Sequence, residues 1–254
     1  MIVFGEWNMN SHGKILFENY DKVRADLWQG KSETELHKYE KHMGEIYKRY
    51  YKKYFSSYKN LKILEIGCST GGMLQALYKD GFRYLTGIDM CKSNVQIAKK
   101  RNRNIRYIVG DGIEFLKSSS EKYDIIYSRA VLEHMDKEDV MEAVREMKKH
   151  CSDRGGVLID VPNMDWIWAS HERYMDFTHE CGFTEESLIE ILKPHFKNIQ
   201  ISYEDTSYNT NIKKRIARYV LWRLYHDGGI GISCERMWAQ DIVAFASDSC
   251  LKIR

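Results

Sequence analysis

Two short stretches of this chain carry side chains whose types and spacing suit chemistry. The first, Ile63-Leu64-Glu65-Ile66-Gly67-Cys68-Ser69-Thr70-Gly71-Gly72, runs from apolar residues through an acid into a small-residue turn. Glycine there lets a backbone turn with positive φ and lets a ligand lie directly on main-chain N–H groups, which a Cβ would prevent. The second, from Ser170 to Thr184, holds His171, Glu172, Arg173, Asp176, His179 and Glu180. Histidine titrates near neutrality and can take a proton from a weak nucleophile. One stretch is therefore suited to holding a ligand and the other to handling a proton.

Elements must position them. Ile63 to Ile66 is strand-like, and the apolar run Met73 to Tyr78 follows the turn as a helix, giving strand, glycine-rich loop, helix. Two further predicted strands also end in acids, Tyr84 to Asp89 and Ile105 to Asp111. In a parallel sheet the carboxyl ends share one edge, so Glu65, Asp89 and Asp111 line a single crevice. A carboxylate after the second strand suits both hydroxyls of a ribose, and one after the third can accept from an adenine amino group. A nicotinamide-binding dehydrogenase or epimerase would want glycines at 67, 69 and 72. Ser69 breaks that pattern, and about 60 residues precede the first strand, whereas those domains often begin with it.

With these residues in place, the chain resembles the class I S-adenosylmethionine (SAM) dependent methyltransferases, over roughly residues 60 to 165 and more loosely to the end. Glu65, Gly67 and Gly71 match the family's first motif, with Ser69 where many members have a middle glycine. Tyr123 to Ser128 resembles its fourth strand, and Leu132-Glu133-His134-Met135 the segment that often follows. The resemblance implies a Rossmann-like α/β fold with a seven-stranded, mostly parallel sheet and an antiparallel edge hairpin. It implies SAM, leaving as S-adenosylhomocysteine, on Glu65, Gly67, Cys68, Ser69 and Gly71, with its ribose on Asp89 beside Met90. Its adenine would lie near Asp111, Gly112 and Ile113, and Ser128 would close the site.

A shorter likeness covers Arg173, Asp176, Thr178, His179, Phe183 and Thr184, which looks similar to bacterial methyltransferases of capsule and O-antigen sugar biosynthesis. It implies a small-molecule or glycan acceptor, free, nucleotide-linked or polymer-bound, held by Arg173, Tyr174 and Asn163. Arg173 would pair with an acceptor phosphate or carboxylate through its planar fork. The methyl of a sulfonium donor is already activated, so the protein has to align the groups and remove the acceptor proton. His179 is the first candidate base and His134 the second, with Asp176 orienting His179 or binding a substrate hydroxyl. Asp160, His171, Glu172, Asp176 and His179 show no recognised metal-ligand spacing, and no metal is expected. O-methylation of a carbohydrate leads. N-methylation of an amino sugar or another small molecule is the alternative, and a SAM-binding scaffold without catalysis is the alternative of another class.

The rest of the chain frames this reading. Its 254 residues are 43% hydrophobic, enough for the core of one domain, residues 61 to 254, with a helical cap at residues 1 to 60. The acceptor region is expected over 163 to 183 and part of 204 to 239. Leu36, Tyr39, Met43, Ile46, Tyr47, Tyr50 and Tyr54 recur at helical spacing between Thr34 and Tyr58, as a helix on the sheet edge or a lid offering Tyr47 or Tyr39 to the cofactor. Asn19, Tyr20, Asp21 and Trp28 extend that lid. Asp136 to His150 reads as an amphipathic helix, Val157 to Val161 as a fifth strand, and Thr184 as the N-cap of a helix reaching Leu192. Asn198 to Tyr203 and Gln240 to Ala246 read as late strands.

Lys213 to Arg223 reads as a basic helix whose Ile212, Ile216, Tyr219 and Val220 share a face that covers the sheet, or that leaves peripheral contact with an anionic membrane open. Gly228 to Gly231 is a flexible connection. A net charge of +3, from 39 basic and 36 acidic residues, argues against a nucleic-acid partner. Six cysteines without C-x-x-C spacing and no secretory signal point to reduced thiols and a cytoplasmic location. The apolar runs are strand-sized, so no transmembrane segment is expected. Oligomeric state is not readable from these features.

Overall fold

The computed structural model describes residues 32–55, 58–204, 212–226 and 232–249. Asn19, Tyr20, Asp21, Trp28 and the Gly228 to Gly231 connection lie outside the described residues. Seven strands form one sheet: β1 (Lys62–Ile66), β2 (Tyr84–Asp89), β3 (Arg106–Val109), β4 (Tyr123–Arg129), β5 (Cys151–Pro162), β6 (Asn198–Glu204) and β7 (Asp241–Ser247). Their order is β3-β2-β1-β4-β5-β7-β6, with β7 antiparallel to both β5 and β6. The parallel strands read as continuous apolar runs because helices cover both faces. Ile63, Leu64, Ile125, Ile126, Val157, Leu158 and Ile159 are all buried.

Two cores result, one on each face. The first packs α1 (Glu33–Ile46), α2 (Gly72–Lys79) and α3 (Lys92–Arg101) on the sheet through Met43, Ile46, Leu74, Leu77 and Val95. The second packs α4 (Gly112–Ser118) and α5 (Lys137–His150), and with them α7 (Glu185–Leu192), through Leu116, Val144, Met147 and Leu188. Burying each such side chain contributes about 1.5–3 kcal/mol relative to exposure. Asp136 caps α5 by accepting from Asp139 N at 2.9 Å, and Thr184 caps α7 with a reciprocal Ser187 box, both at the starts expected from sequence.

The N-terminal segment is more elaborate than one amphipathic helix. Ser32 and Glu35 form a capping box at the start of α1. After Ile46 the chain widens into a π-helical turn over Tyr47–Tyr51 and then a 3-10 turn over Lys52–Tyr54. Tyr47 and Tyr51, four residues apart, share the buried face of this turn. The Tyr47 hydroxyl donates to Asp80 at 2.7 Å at the far end of α2, while Tyr51 reaches β5 and β6.

β5 begins at Cys151, earlier than the run Val157 to Val161 alone suggests, because its first residues pair back on β4 across a register shift. The short α6 (Ala169–Met175) follows it. The basic helix α8 (Ile212–His226) differs from its expected role of covering the sheet. Ile212, Ile216, Tyr219, Val220 and Leu224 are all exposed, Leu224 by 71%. It is tied instead to α9 (Cys234–Trp238), whose Trp238 indole donates to Arg218 O at 3.3 Å. No described helix is long and apolar enough to cross a membrane. The described cysteines, Cys68, Cys91, Cys151, Cys181 and Cys234, are thiols outside any disulfide.

Candidate active site

At the carboxyl end of β1 the chain makes a turn in which Gly67, Ser69 and Gly71 have φ of 74°, 47° and 78°. The N–H groups of this turn are spent within the chain, Gly67 N and Cys68 N donating to Ile88 O at 2.8 and 3.0 Å and Gly71 N to Cys68 O at 2.8 Å, so what the turn offers a ligand is close approach to a glycine surface. A Cβ at Gly71 would strike the Tyr107 phenol ring, and one at Gly67 would strike Val131, so neither position tolerates a side chain. Ser69 bears the left-handed cost of a non-glycine residue, about 1–2 kcal/mol. Its N–H donates to Asp89 Oδ2 at 2.7 Å, which offsets the cost. Asp89 Oδ1 accepts from Cys91 N at 2.8 Å, so this carboxylate braces the turn from the neighbouring strand end.

Around the turn stand buried polar atoms with nothing to bond. Glu65 Oε2 and Ser128 Oγ have no partner among the described residues, and burial pushes the Glu65 carboxyl well up. An orphaned carboxylate oxygen in a fold this well packed marks a place for a donor from outside the chain. Asp111 caps α4 through Oδ1, accepting from Ile113 N and Glu114 N at 2.7 Å each. Gly112 and Ile113 form the helix start beside it, Cys68 is buried under the turn, and Met90 lies at the rim, 37% exposed. From α1, Tyr39 and Met43 lie over Gly72, where a Cβ would meet each at 2.8 Å. Burial pushes the Tyr39 phenol up to about 12, with Arg129, Glu65, Cys68 and Asp89 as its charged surroundings. Of the two aromatics expected in a lid, Tyr39 is therefore at the crevice and Tyr47 is not.

Beyond β4 and β5 opens a cleft of about 270 Å³. Its walls include Glu133, His134, Asp160, Glu172, Asp176, His179 and Asp241, with Arg129 as the one arginine or lysine among them. Glu133 and His134 come from a 3-10 turn, Leu132–His134, that follows Ala130, a second non-glycine residue at positive φ (51°). His134 and His179 meet edge to face with ring centroids 4.8 Å apart.

Their tautomers follow from their partners. Thr178 Oγ1 donates to Asp176 Oδ1 at 2.7 Å and so accepts from His134 Nδ1 at 2.8 Å. His179 Nδ1 donates to the Glu172 carbonyl at 3.1 Å. In both rings Nε2 is then the nitrogen with the lone pair. Asp176 thus orients His134 through Thr178, where sequence reasoning attached it to His179. Burial pushes the Glu133 carboxyl up to about 8, its own backbone N–H pulling the other way, and its Oε2 has no protein partner.

Three expected acceptor contacts come out differently. Arg173 donates to the carbonyls of His179 and, at 2.9 Å, Glu180, which closes the loop that carries His179. Its fork serves main chain in place of an acceptor anion. Asn163 is buried and donates to Arg236 O at 2.6 Å and Ala239 O at 2.9 Å, pinning β5 to the segment before β7. Tyr174 is 77% exposed under the Arg173 guanidinium, at the outer rim.

Sequence reasoning missed the floor of the cleft. Arg129 at the end of β4 donates to Asp160 at 2.9 Å and to Asp241 at 3.4 Å, with Glu204 at 3.7 Å. The Tyr51 hydroxyl contacts both Asp160 and Glu204. Burial pushes the Asp160, Glu204 and Asp241 carboxyls upward, with Arg129 pulling the other way in each case. The available signal was Asp160, an acid inside the apolar run Val157-Leu158-Ile159-Asp160-Val161.

A family model described as a methyltransferase domain matches residues 37–195. The ubiquinone biosynthesis O-methyltransferase of Rickettsia typhi is 27% identical over 160 residues, covering 61% of this chain and 63% of the relative. Its namesake from Pelagibacter ubique is 31% identical over 159 residues, covering 56% and 63%. The chain thus spans less than two thirds of the length of these curated relatives. Among solved structures, a SAM-dependent methyltransferase from Archaeoglobus fulgidus superposes with a TM-score of 0.64 at 19% identity, covering 91% of this chain and 98% of that one. The magnesium protoporphyrin IX methyltransferase of Synechocystis PCC 6803, with bound SAM, gives 0.58 at 11% identity, covering 96% and 100%. At such identities the likeness shows the fold.

Proposed function

The chain belongs to the methyltransferase-domain family, and from that premise we propose that it transfers a methyl group from SAM to a hydroxyl of a small, uncharged polyhydroxy acceptor such as a sugar unit. SAM lies in the crevice of β1, β2 and β3. Its amino group bonds the orphaned Glu65 Oε2, its ribose meets Asp89, and its adenine meets Asp111, Gly112 and Ile113. Gly67, Cys68, Ser69 and Gly71 supply the floor, Ser128 the side wall, Met90 the rim and Tyr39 of the N-terminal cap the cover. The acceptor enters the cleft beyond β4 and β5, and its oxygen comes against the His134 and His179 imidazoles, which carry its activation. Asp176 acts behind them as the group that orders His134.

The observation that carries this reading is the line Asp176, Thr178, His134, which turns an imidazole Nε2 lone pair toward a cleft at the same sheet edge as the cofactor turn. Relatives named as O-methyltransferases agree with oxygen as the acceptor atom. The excess of carboxyls in the cleft supports hydroxyl donors and disfavours phosphate or carboxylate close to the reacting atom. The same excess favours one second reading, N-methylation of an amine such as an amino sugar.

The test is transfer of isotopically labelled methyl from SAM to a panel of sugars, sugar nucleotides, diphenols and amines, with the methylated atom assigned by NMR. O-methyl product that vanishes with His134→Ala while S-adenosylhomocysteine still binds supports the proposal. N-methyl product alone moves the protein to the second reading. Cofactor binding with no transfer across the panel leaves a SAM-binding scaffold.

A further inference from the structure

We infer that Glu133, His134 and His179 form a binding site for a divalent first-row transition cation, whose open positions take adjacent hydroxyls of the acceptor. This rests on the reading of the cleft as the acceptor site and specifies how its two imidazoles act, as ligands to a cation that activates the oxygen. No spacing along the chain announces the site, because its ligands come from the 3-10 turn after β4 and from the loop after α6, which only the fold brings together.

The geometry carries the inference in three independent ways. A ring nitrogen of each histidine and a carboxylate oxygen of Glu133 lie within 4.8 Å of one another. Ligands about 2.0–2.2 Å from a shared ion stand roughly 3–3.5 Å apart, so side-chain rotation alone closes the set. Next, both imidazoles already have the outer partners that metal-bound histidines have. His134 Nδ1 is held by Thr178 and through it Asp176, and His179 Nδ1 by the Glu172 carbonyl, which fixes the tautomer and leaves Nε2 as the nitrogen with the lone pair. Finally, Glu133 is 2% exposed, one of its carboxylate oxygens belongs to the trio, and its Oε2 has no partner among the described residues. A bound cation would satisfy such a buried carboxyl.

Two nitrogen donors and one oxygen select borderline cations such as Zn²⁺, Co²⁺ or Fe²⁺ over Mg²⁺ and Ca²⁺, which prefer all-oxygen shells. Three protein ligands leave positions open for substrate. A second trio, Asp160, Glu204 and Asp241, is as closely spaced, but Arg129 and Tyr51 already occupy it. The consequence for transfer is simple. A hydroxyl bound to the cation ionises more easily, its proton passing to solvent. Its oxygen then forms the O–C bond as the C–S bond breaks and the electron pair returns to sulfur.

The experiment uses the full chain, stripped with a chelator, dialysed and saturated with S-adenosylhomocysteine. Co²⁺ and Zn²⁺ are added alone, binding is followed by calorimetry, and the Co²⁺ ligand-field spectrum reports nitrogen and oxygen donors. One equivalent should bind, weakened at least about a hundredfold by Glu133→Gln or His179→Gln and about tenfold by Thr178→Val, with S-adenosylhomocysteine affinity unchanged. Cys181→Ser should bind as the wild type does. Two results overturn the inference: no cation binding by protein that still binds S-adenosylhomocysteine, or equal binding by the wild type and both ligand variants. Hydroxyl methylation that depends on His134 without any cation would also sink it while the proposed function stands. A cation site lost in both variants, with no transfer to any hydroxyl, would uphold it while the proposed function fails.

Discussion

Along the carboxyl edge of the sheet, the half formed by β1, β2 and β3 presents main chain, whereas the half formed by β4 and β5 presents side chains. The cofactor crevice is built from Gly67, Ser69 and Gly71 at positive φ, braced by one carboxylate from the next strand. Each part lies within one turn or one strand end of a parallel βαβ unit. The proposed acceptor cleft draws Arg129 and Glu133 from around the end of β4, Asp160 from β5, His179 from the loop after α6 and Asp241 from β7, with Tyr51 of the N-terminal cap bonded to Asp160 behind them. A ligand common to a family is held by local backbone geometry. An acceptor in the proposed cleft would meet side chains drawn from distant segments of the chain.

That contrast can be broken at either half. The largest expected effect is on turnover from the acceptor side: His134→Ala should lower kcat by about 10²–10⁴-fold and leave S-adenosylhomocysteine affinity within about twofold. A matching fall in cofactor affinity would show that the two halves are not separable. Next comes Gly71→Ala, where left-handed φ and the Tyr107 ring combine to cost about 2–4 kcal/mol. Calorimetric titration should show S-adenosylhomocysteine bound roughly 30-fold or more weakly, with the sheet intact by circular dichroism.

Arg173→Gln probes the loop that carries His179. Losing the bonds to the His179 and Glu180 carbonyls should raise acceptor KM and lower stability by about 1–2 kcal/mol. Tyr174→Ser on the same loop should change stability by no more than about 0.5 kcal/mol. Equal behaviour of the two would return Arg173 to the role of an acceptor ligand.

One pH effect, small in size, lies far from both sites. At Asp80 burial pushes the carboxyl up, but hydrogen bonds from Lys59, Lys52 and Tyr47 outweigh it and hold it at about 2 against an ordinary 3.8. Because the folded value is the lower one, the stabilisation is present above pH 3.8 and is lost as pH falls toward 2. Solvent screening of its lysine partners limits it to about 0.5–1 kcal/mol. Urea unfolding should find Asp80→Asn less stable than wild type at pH 7 and the two converging near pH 2.

The strand, turn and helix around Gly67, the acids Glu65, Asp89 and Asp111, the helix beginning at Asp136 and the Thr184 cap were legible from local periodicity or from backbone chemistry at named residues, and the late antiparallel hairpin was what the family resemblance implied. His134, Asp176 and His179 were recognised as residue types, and the cleft does gather them. Their wiring was not legible: the Thr178 link to His134, the main-chain duty of Arg173 and the buried duty of Asn163 depend on which loop lies against which. Burial of Glu133 and Glu204 and the seating of Arg129 among three acids follow equally from packing that no spacing encodes.

By itself, then, the sequence determined the sheet, its helices and the main-chain cradle, since hydrophobic period, left-handed glycines and strand-end acids act over a few residues. Only the tertiary structure decided the acceptor cleft. Which imidazole presents Nε2, which carboxyl is left without a partner and which arginine meets three acids are fixed by contacts between distant segments, and in a low-dielectric interior those contacts set charge and tautomer.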